Sequence, residues 1–187
     1  LLINFPGSKI EQTKIADILS KIDLAITQTE AIIAKQQRIK TGLMQDLLTK
    51  GIDENGNIRS EATHEFKDSS IGRIPVEWKV VAIDDISTKI TDGDHHTPAR
   101  SIDGIFLLSA RNILNGSIDL SDVDYVPNCE YQRMIKRCYP EAGDIFISCS
   151  GTIGRVCEVP LWLKCVLVRS AALVKLDKSH VQPRFTE

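Results

Sequence analysis

From residue 9 to residue 50, apolar side chains recur every three or four positions, with no proline and a single glycine, Gly42. That period marks one face of an α-helix. Ser8 and Glu11 fit a capping box, in which hydroxyl and carboxylate each accept from a backbone N–H left free at a helix start. Gly51, following Leu48-Thr49-Lys50, suits the left-handed residue that closes a helix. These signals bracket about 42 residues, a rod of roughly 60 Å at the α-helical rise. Few helices of globular domains reach that length.

The pattern reads as heptads. Ile15, Ile22, Thr29, Gln36 and Leu43 take the a positions; Ile18, Ala25, Ile32, Ile39 and Asp46 take d. Leu19, Ile26, Ile33 and Leu47 run beside this seam at e, so the stripe is wider than a two-stranded zipper needs. It is expected to touch a partner helix and a second apolar surface, its own globular domain included. Thr29 and Gln36 lie mid-seam, where polar groups weaken packing but fix register. No second long helix exists in the chain to bury the stripe, so the pairing interface of Ile15, Ile18, Ile22, Ala25, Thr29, Ile32, Gln36, Ile39 and Leu43 requires a helix from outside it or a second copy.

Residues 51–74 are rich in Gly, Asn, Ser and charge and read as a connector. From 75 to 187 the texture changes to short apolar runs broken by turn residues, with strands expected near 79–83, 105–109, 144–149, 155–159 and 165–176, the last divisible at Arg169-Ser170. Asn128 is placed to cap a short helix over 129–138 that stops before Pro140. On it Tyr131, Met134, Ile135 and Cys138 share one face, and Gln132, Arg133, Lys136 and Arg137 lie largely on another. The expected class is α+β: one long N-terminal coiled-coil-type helix (1–50), a connector (51–74) and a mixed, strand-rich globular domain (75–187). The chain starts at Leu1 and stops amid strand-like sequence, so that domain is expected to be truncated.

Charge narrows the function classes. The 187 residues carry 23 Lys+Arg against 25 Asp+Glu, and residues 71–187 hold 14 basic and 15 acidic side chains. With no global basic field, nucleic-acid binding must come from a local patch. Five cysteines without a C-x-x-C pair fit buried thiols in a reducing compartment rather than a disulfide framework or zinc ribbon. No apolar run approaches a bilayer span and no signal peptide opens the chain, which points to a cytoplasmic protein without membrane partners.

The stretch Asp92-Gly93-Asp94-His95-His96-Thr97-Pro98 holds two of the four histidines. Adjacent histidines in an extended loop face opposite sides and do not grip one ion without a turn, so neither metal nor cofactor is expected. General-base work stays open, though no nucleophile lies nearby in the pattern. A turn is the simpler reading: Asp92-Gly93 favours positive φ, Asp94 bonds its own backbone downstream, and Pro98 fixes the exit, presenting His95, His96 and Thr97 outward. Ser150-Gly151-Thr152-Ile153-Gly154-Arg155 sits between two strand-like runs. Its N–H groups, with Ser150, Thr152 and Arg155, suit a phosphate, and its glycines equally suit plain hairpin geometry. Arg133, Lys136 and Arg137, at i, i+3 and i+4, form one compact basic group that either tracks phosphates or is a solvated face. Arg111 and Asn112 match base-edge chemistry or anchor a loop. Trp78 reads as core or helix packing.

Several of these stretches together resemble one family. EQTKIADILSKIDLAI and LMQDLLTKGID resemble the central helix of the DNA specificity subunit of type I restriction-modification enzymes. IGRIPVEWKVVAIDDI, DGDHHTP, LLSARNI and GDIFISCSGTIGRV resemble the opening motifs of that family's target recognition domain. The resemblance spans nearly the whole chain in order; NFPGSKIEQ departs from the proline-rich approach usual before EQ. It implies a first spacer helix and the front of a second recognition domain. It also implies a non-catalytic subunit that reads one half of a bipartite site on double-stranded DNA, scaffolds methyltransferase and restriction/translocase subunits, and pairs its helix with a second one. A coiled-coil adaptor with a protein-binding globular domain is the competing reading, and a His- or metal-dependent enzyme a third.

Overall fold

The computed structural model describes residues 3–186; residues 1, 2 and 187, the extreme ends of the expected first and last segments, lie outside the described residues. The chain divides into one unit running to Val80 and another starting at Val81.

In the first unit, helix α1 runs unbroken over Lys9–Thr49, 41 residues. Ser8 is extended, as an N-cap should be, yet its side chain makes no capping bond. The expected capping box is not formed; the Gln12 side-chain amide instead reaches back to Pro6 O at 2.7 Å. At the other end Gly51 has φ 66°, and its N–H bonds to Leu47 O at 3.1 Å. A Cβ on Gly51 would stand 2.5 Å from the Trp78 ring, so Trp78 packs against the helix exit. The seam is uncovered. Ile15, Ile18, Ile22, Ile32, Ile39 and Leu43 are 43–60% exposed, α1 has no buried residue, and Leu19, Ile26 and Ile33 are exposed too. Thr29 satisfies its hydroxyl within the helix, donating to Ala25 O at 2.8 Å, so it needs no partner across the seam. No helix among the described residues is long and apolar enough to cross a membrane.

The stretch expected as a connector is partly folded: β1 (Phe66–Ser69) and β2 (Gly72–Pro75) form an antiparallel hairpin, and Arg59 pairs with Glu77 at 3.0 Å. No strand forms at 79–83. Val80, Val81 and Ile83 are exposed there, and the Asp85 carboxylate takes the Ala82 N–H at 3.1 Å. A side chain that captures a backbone donor in this way favours a turn over a strand ladder.

In the second unit the strands are β3 (Ser87–Asp92), β4 (Ile105–Leu108), β5 (Ile113–Leu114), β6 (Ser117–Ile118) and β7 (Asp124–Val126), then, after helix α2 (Asn128–Met134), β8 (Ile145–Ser148), β9 (Val156–Glu158), β10 (Cys165–Leu167) and β11 (Ala171–Leu176). Helix α3 (Pro183–Thr186) closes the described chain. One sheet has the order β3-β11-β8-β9 and is antiparallel throughout; another, β10-β4-β7, pairs β10 with β4 in parallel; β5 and β6 form a separate hairpin. Alternation along β4 and β10 builds three layers. Leu107 and Val166 pack with Val126 and with Tyr131 and Met134 of α2. Their neighbours Leu108 and Leu167 face the other way, onto Phe146 and Leu173 of the four-stranded sheet. Burial on both faces explains why Ile105-Phe106-Leu107-Leu108 is apolar at every position. The expected helix over 129–138 is shorter, with Pro127 rather than Asn128 at its N-cap. Tyr131, Met134 and Cys138 are nevertheless buried as the pattern requires. The run 165–176 divides at Arg169-Ser170 and feeds two different sheets.

Candidate nucleic-acid interface

Three of the motifs singled out in the sequence meet at one end of the four-stranded sheet. β3 ends at Asp92, β8 ends at Ser148 and β11 begins at Ala171, with Ala172 opposite Asp92 and Ala171 opposite Ser148. The turn Arg169-Ser170 lies between them and is tied to each motif by hydrogen bonds, to two through main chain and to the third through the Ser170 hydroxyl. Arg169 N–H donates to Asp94 O (3.0 Å), Cys149 N–H to Ser170 O (2.8 Å) and Val168 N–H to Leu108 O (3.0 Å). The Ala110 N–H donates to Ser170 Oγ at 3.1 Å. The loop 92–98, the segment 109–112 and the hairpin 149–155 are thus fixed to one turn.

The glycine of the first loop acts differently from expectation. Gly93 is not among the positive-φ residues. A Cβ there would instead lie 2.3 Å from Leu167 O and 2.5 Å from Val168 O. Close backbone approach, not a left-handed turn, requires glycine at this point. It lets Asp94 N–H reach Leu167 O at 2.8 Å and seats the Asp94 side chain at 8% exposure. Asp94 Oδ1 accepts from His96 N at 2.9 Å, the expected downstream backbone bond. His95, His96 and Thr97 are exposed. His95 Nε2 donates to Asp92.

Helix α2 and the turn after it supply the cations that hold this loop. Arg133 Nη1 donates to Asp94 Oδ2 at 2.5 Å and Arg133 Nη2 to Glu130 at 2.7 Å; Arg137 Nη2 donates to Asp92 Oδ1 at 2.5 Å. Two members of the expected basic patch are therefore already neutralised by carboxylates. Lys136 is exposed, has no ion pair among the described residues, and lines a groove of about 530 Å³ with Tyr131, Gln132, Tyr139 and Lys164. Electrostatics follow the geometry. The Arg137 hydrogen bond, opposed by burial and helped by His95, holds the Asp92 carboxyl below its ordinary value. At Asp94 burial pushes upward, but the His96 N–H and Arg133 outweigh it and the net direction is down. Both contributions are complete above the ordinary carboxylate value of about 3.9 and are lost as pH falls through the depressed folded-state values. Melting temperature followed from pH 5 to pH 3 should fall more steeply in the native chain than in the Asp92→Asn, Asp94→Asn double variant. Parallel curves would show that the pairs contribute nothing.

The other expected site residues fall into three places. Asn112 is buried: its Oδ1 accepts from Ser109 N (3.0 Å) and Oγ (3.1 Å), and its Nδ2 donates to Asp119 O and Asp122 O (both 3.1 Å). With its amide saturated and enclosed, it anchors the loop. Arg111 is exposed but paired with Asp122 (3.2 Å) and Asp124 (3.0 Å). Ser150 and Thr152 are exposed on the β8–β9 hairpin and Arg155 is half-buried at its end. Gly151 and Gly154 have φ 75° and 85°. Gly154 N–H is spent on Ser148 O at 2.9 Å, and buried Ser148 ties the hairpin, donating to Thr152 O (2.6 Å) and accepting from Arg155 N (2.9 Å). Turn geometry accounts for both glycines. Sequence reading did not foresee that Arg169, a lone arginine interrupting the apolar run 165–176, lies where these loops meet. Cys138, Cys157 and Cys165 are buried, and Cys129 and Cys149 exposed. Burial pushes the Cys138 thiol up to about 11, so it is inert. Among the described residues no three or more His, Cys, Asp or Glu side chains gather as a metal site.

No family model matches the chain. It is similar to a protein of Methanocaldococcus jannaschii named type I restriction enzyme MjaVIII specificity subunit, 30% identical over 139 residues, which is 74% of this chain and 30% of that protein. It is also similar to the putative type I restriction enzyme MjaX specificity subunit of the same organism, 38% identical over 73 residues, 39% of this chain and 15% of that protein. The matches thus span less than a third of either relative's length.

Proposed function

We propose that this chain is a stretch of the DNA specificity subunit of a type I restriction-modification enzyme, non-catalytic in itself. The strand-rich unit reads one half of a bipartite duplex site through the loops gathered at Arg169-Ser170, and α1 is the stiff element that sets the separation from a second reader. The observation that carries this reading is an unbroken helix of 41 residues without a buried side chain. Such a helix keeps its length where a flexible linker does not, and two readers held apart by a rigid element recognise a split site. Its apolar seam is reserved for a second long helix, or another copy of the chain, and the pair forms a dock for methyltransferase and restriction/translocase subunits.

A protein-binding adaptor is favoured by one feature, the exposed Leu161 (91%) and Trp162 (66%) on the loop between β9 and β10. The two readings separate in solution. Duplex affinity measured against salt should give a straight fall of log K with log salt, steeper by about 0.9 for each phosphate neutralised. Coexpression with the methyltransferase subunit, followed by mapping of methylated adenines, should return a split site. No duplex binding at low salt, together with unmethylated DNA, would refute the specificity-subunit reading and favour the adaptor.

A further inference from the structure

We infer that Arg169 is a base-reading side chain, contacting a guanine edge at the centre of the proposed DNA-facing surface; the inference rests on the specificity-subunit reading. Of the cations around this end of the sheet, Arg111, Arg133 and Arg137 are each held by carboxylates at 3.2 Å or closer. Arg169 is exposed and bears no ion pair or side-chain hydrogen bond among the described residues. Its guanidinium is therefore free to face a ligand, with five donors in a planar fork.

Its backbone, by contrast, is fixed on every side. Arg169 N–H is taken by Asp94 O, Ala171 N–H closes the turn onto Val168 O at 3.0 Å, and the next residue accepts from Cys149. The Asp94 that holds it is itself clamped by Arg133. A phosphate tolerates a loosely placed cation, because charge alone supplies the attraction. Reading a base edge needs a donor pair held in register, which a pinned two-residue turn provides. Arginine matched to the O6 and N7 acceptors of guanine is the pairing that this geometry suits. The ion pair of buried Asp94 with exposed Arg133 is then a positioning device for Arg169.

The test uses the full chain and duplexes selected from a random pool. At one guanine of the selected site, 7-deazaguanine, which lacks the N7 acceptor, should weaken native binding by roughly tenfold. Arg169→Ala should be insensitive to that replacement, and Arg169→Lys, which keeps the charge without the fork, should not recover native affinity. The inference is overturned if Arg169→Ala retains native N7 sensitivity at every guanine, or if the selected site has no guanine. It is equally overturned if the variant loses affinity evenly across sequences while its salt slope drops by about one, the mark of a phosphate contact. Those results leave the specificity-subunit reading standing. Failure of the native chain to select any duplex overturns both.

Discussion

Replacing Gly93 by alanine is expected to cost the strand-rich unit about 3 kcal/mol or more, enough to lower its melting temperature by more than about 10 °C. The added methyl would enter within 2.5 Å of the Leu167 and Val168 carbonyl oxygens. Those atoms are main chain of β10 and the residue after it, so no rotamer change makes room. Relief requires the loop to lift off, breaking the Asp94–Leu167 bond and drawing the buried Asp94 carboxylate out of its seat. Drawing a buried carboxylate away from its hydrogen-bond partners is among the larger single-site losses. Gly151→Ala is the control. Gly151 also has positive φ, 75°, but nothing lies within 4 Å of its missing Cβ, so only conformational strain of about 1 kcal/mol is expected. Thermal melts of the two variants side by side decide the matter: equal losses would mean that close approach at Gly93 is not what the loop depends on.

The second large effect lies in the helix. At micromolar concentration the chain should self-associate through its seam, and the double variant Ile22→Asp, Ile32→Asp should abolish association. Ile22 and Ile32 are 51% and 60% exposed in the single chain and would be buried on pairing. Losing each apolar contact costs about 2–5 kcal/mol, and the two carboxylates face a desiccated seam besides. The combined change corresponds to at least about a thousandfold in the dissociation constant. Sedimentation of native and variant chains reads it directly. A native chain that sediments as a clean monomer at these concentrations would mean the seam is not a self-pairing surface.

The helix was fully legible because periodicity is a local property: forty residues of apolar spacing and the glycine after them bound α1 to within a residue at each end. The capping box was legible only as a pattern, since the Ser8 side chain makes no capping bond. The buried strands β4, β8, β10 and β11 announced themselves by apolar runs. β3 did not, because an edge strand reading Ser-Thr-Lys-Ile-Thr-Asp carries no apolar run and gets its ladder from β11. The site was legible in its parts and not in its assembly. Asp94 and His96 gave the turn bond from sequence alone. That Gly93 abuts Leu167, or that Arg133 and Arg137 are spent on Asp94 and Asp92, depends on residues brought together by two sheets and a helix. Arg133 and Arg137 hold the loop in place, which leaves Lys136, Arg155 and Arg169 without an ion pair among the described residues.

Amide hydrogen exchange, recorded on the full chain with and without its selected duplex, tests most directly whether the loops gathered at Arg169-Ser170 are the DNA-facing surface. Exchange at 95–97 and 150–153, exposed loops at that end of the sheet, should slow in the complex, together with the amides around Arg169, while the middle of α1 keeps its free-state rates. Protection confined to Leu161-Trp162 or to α1, with 95–97 and 150–153 unchanged, would contradict the account.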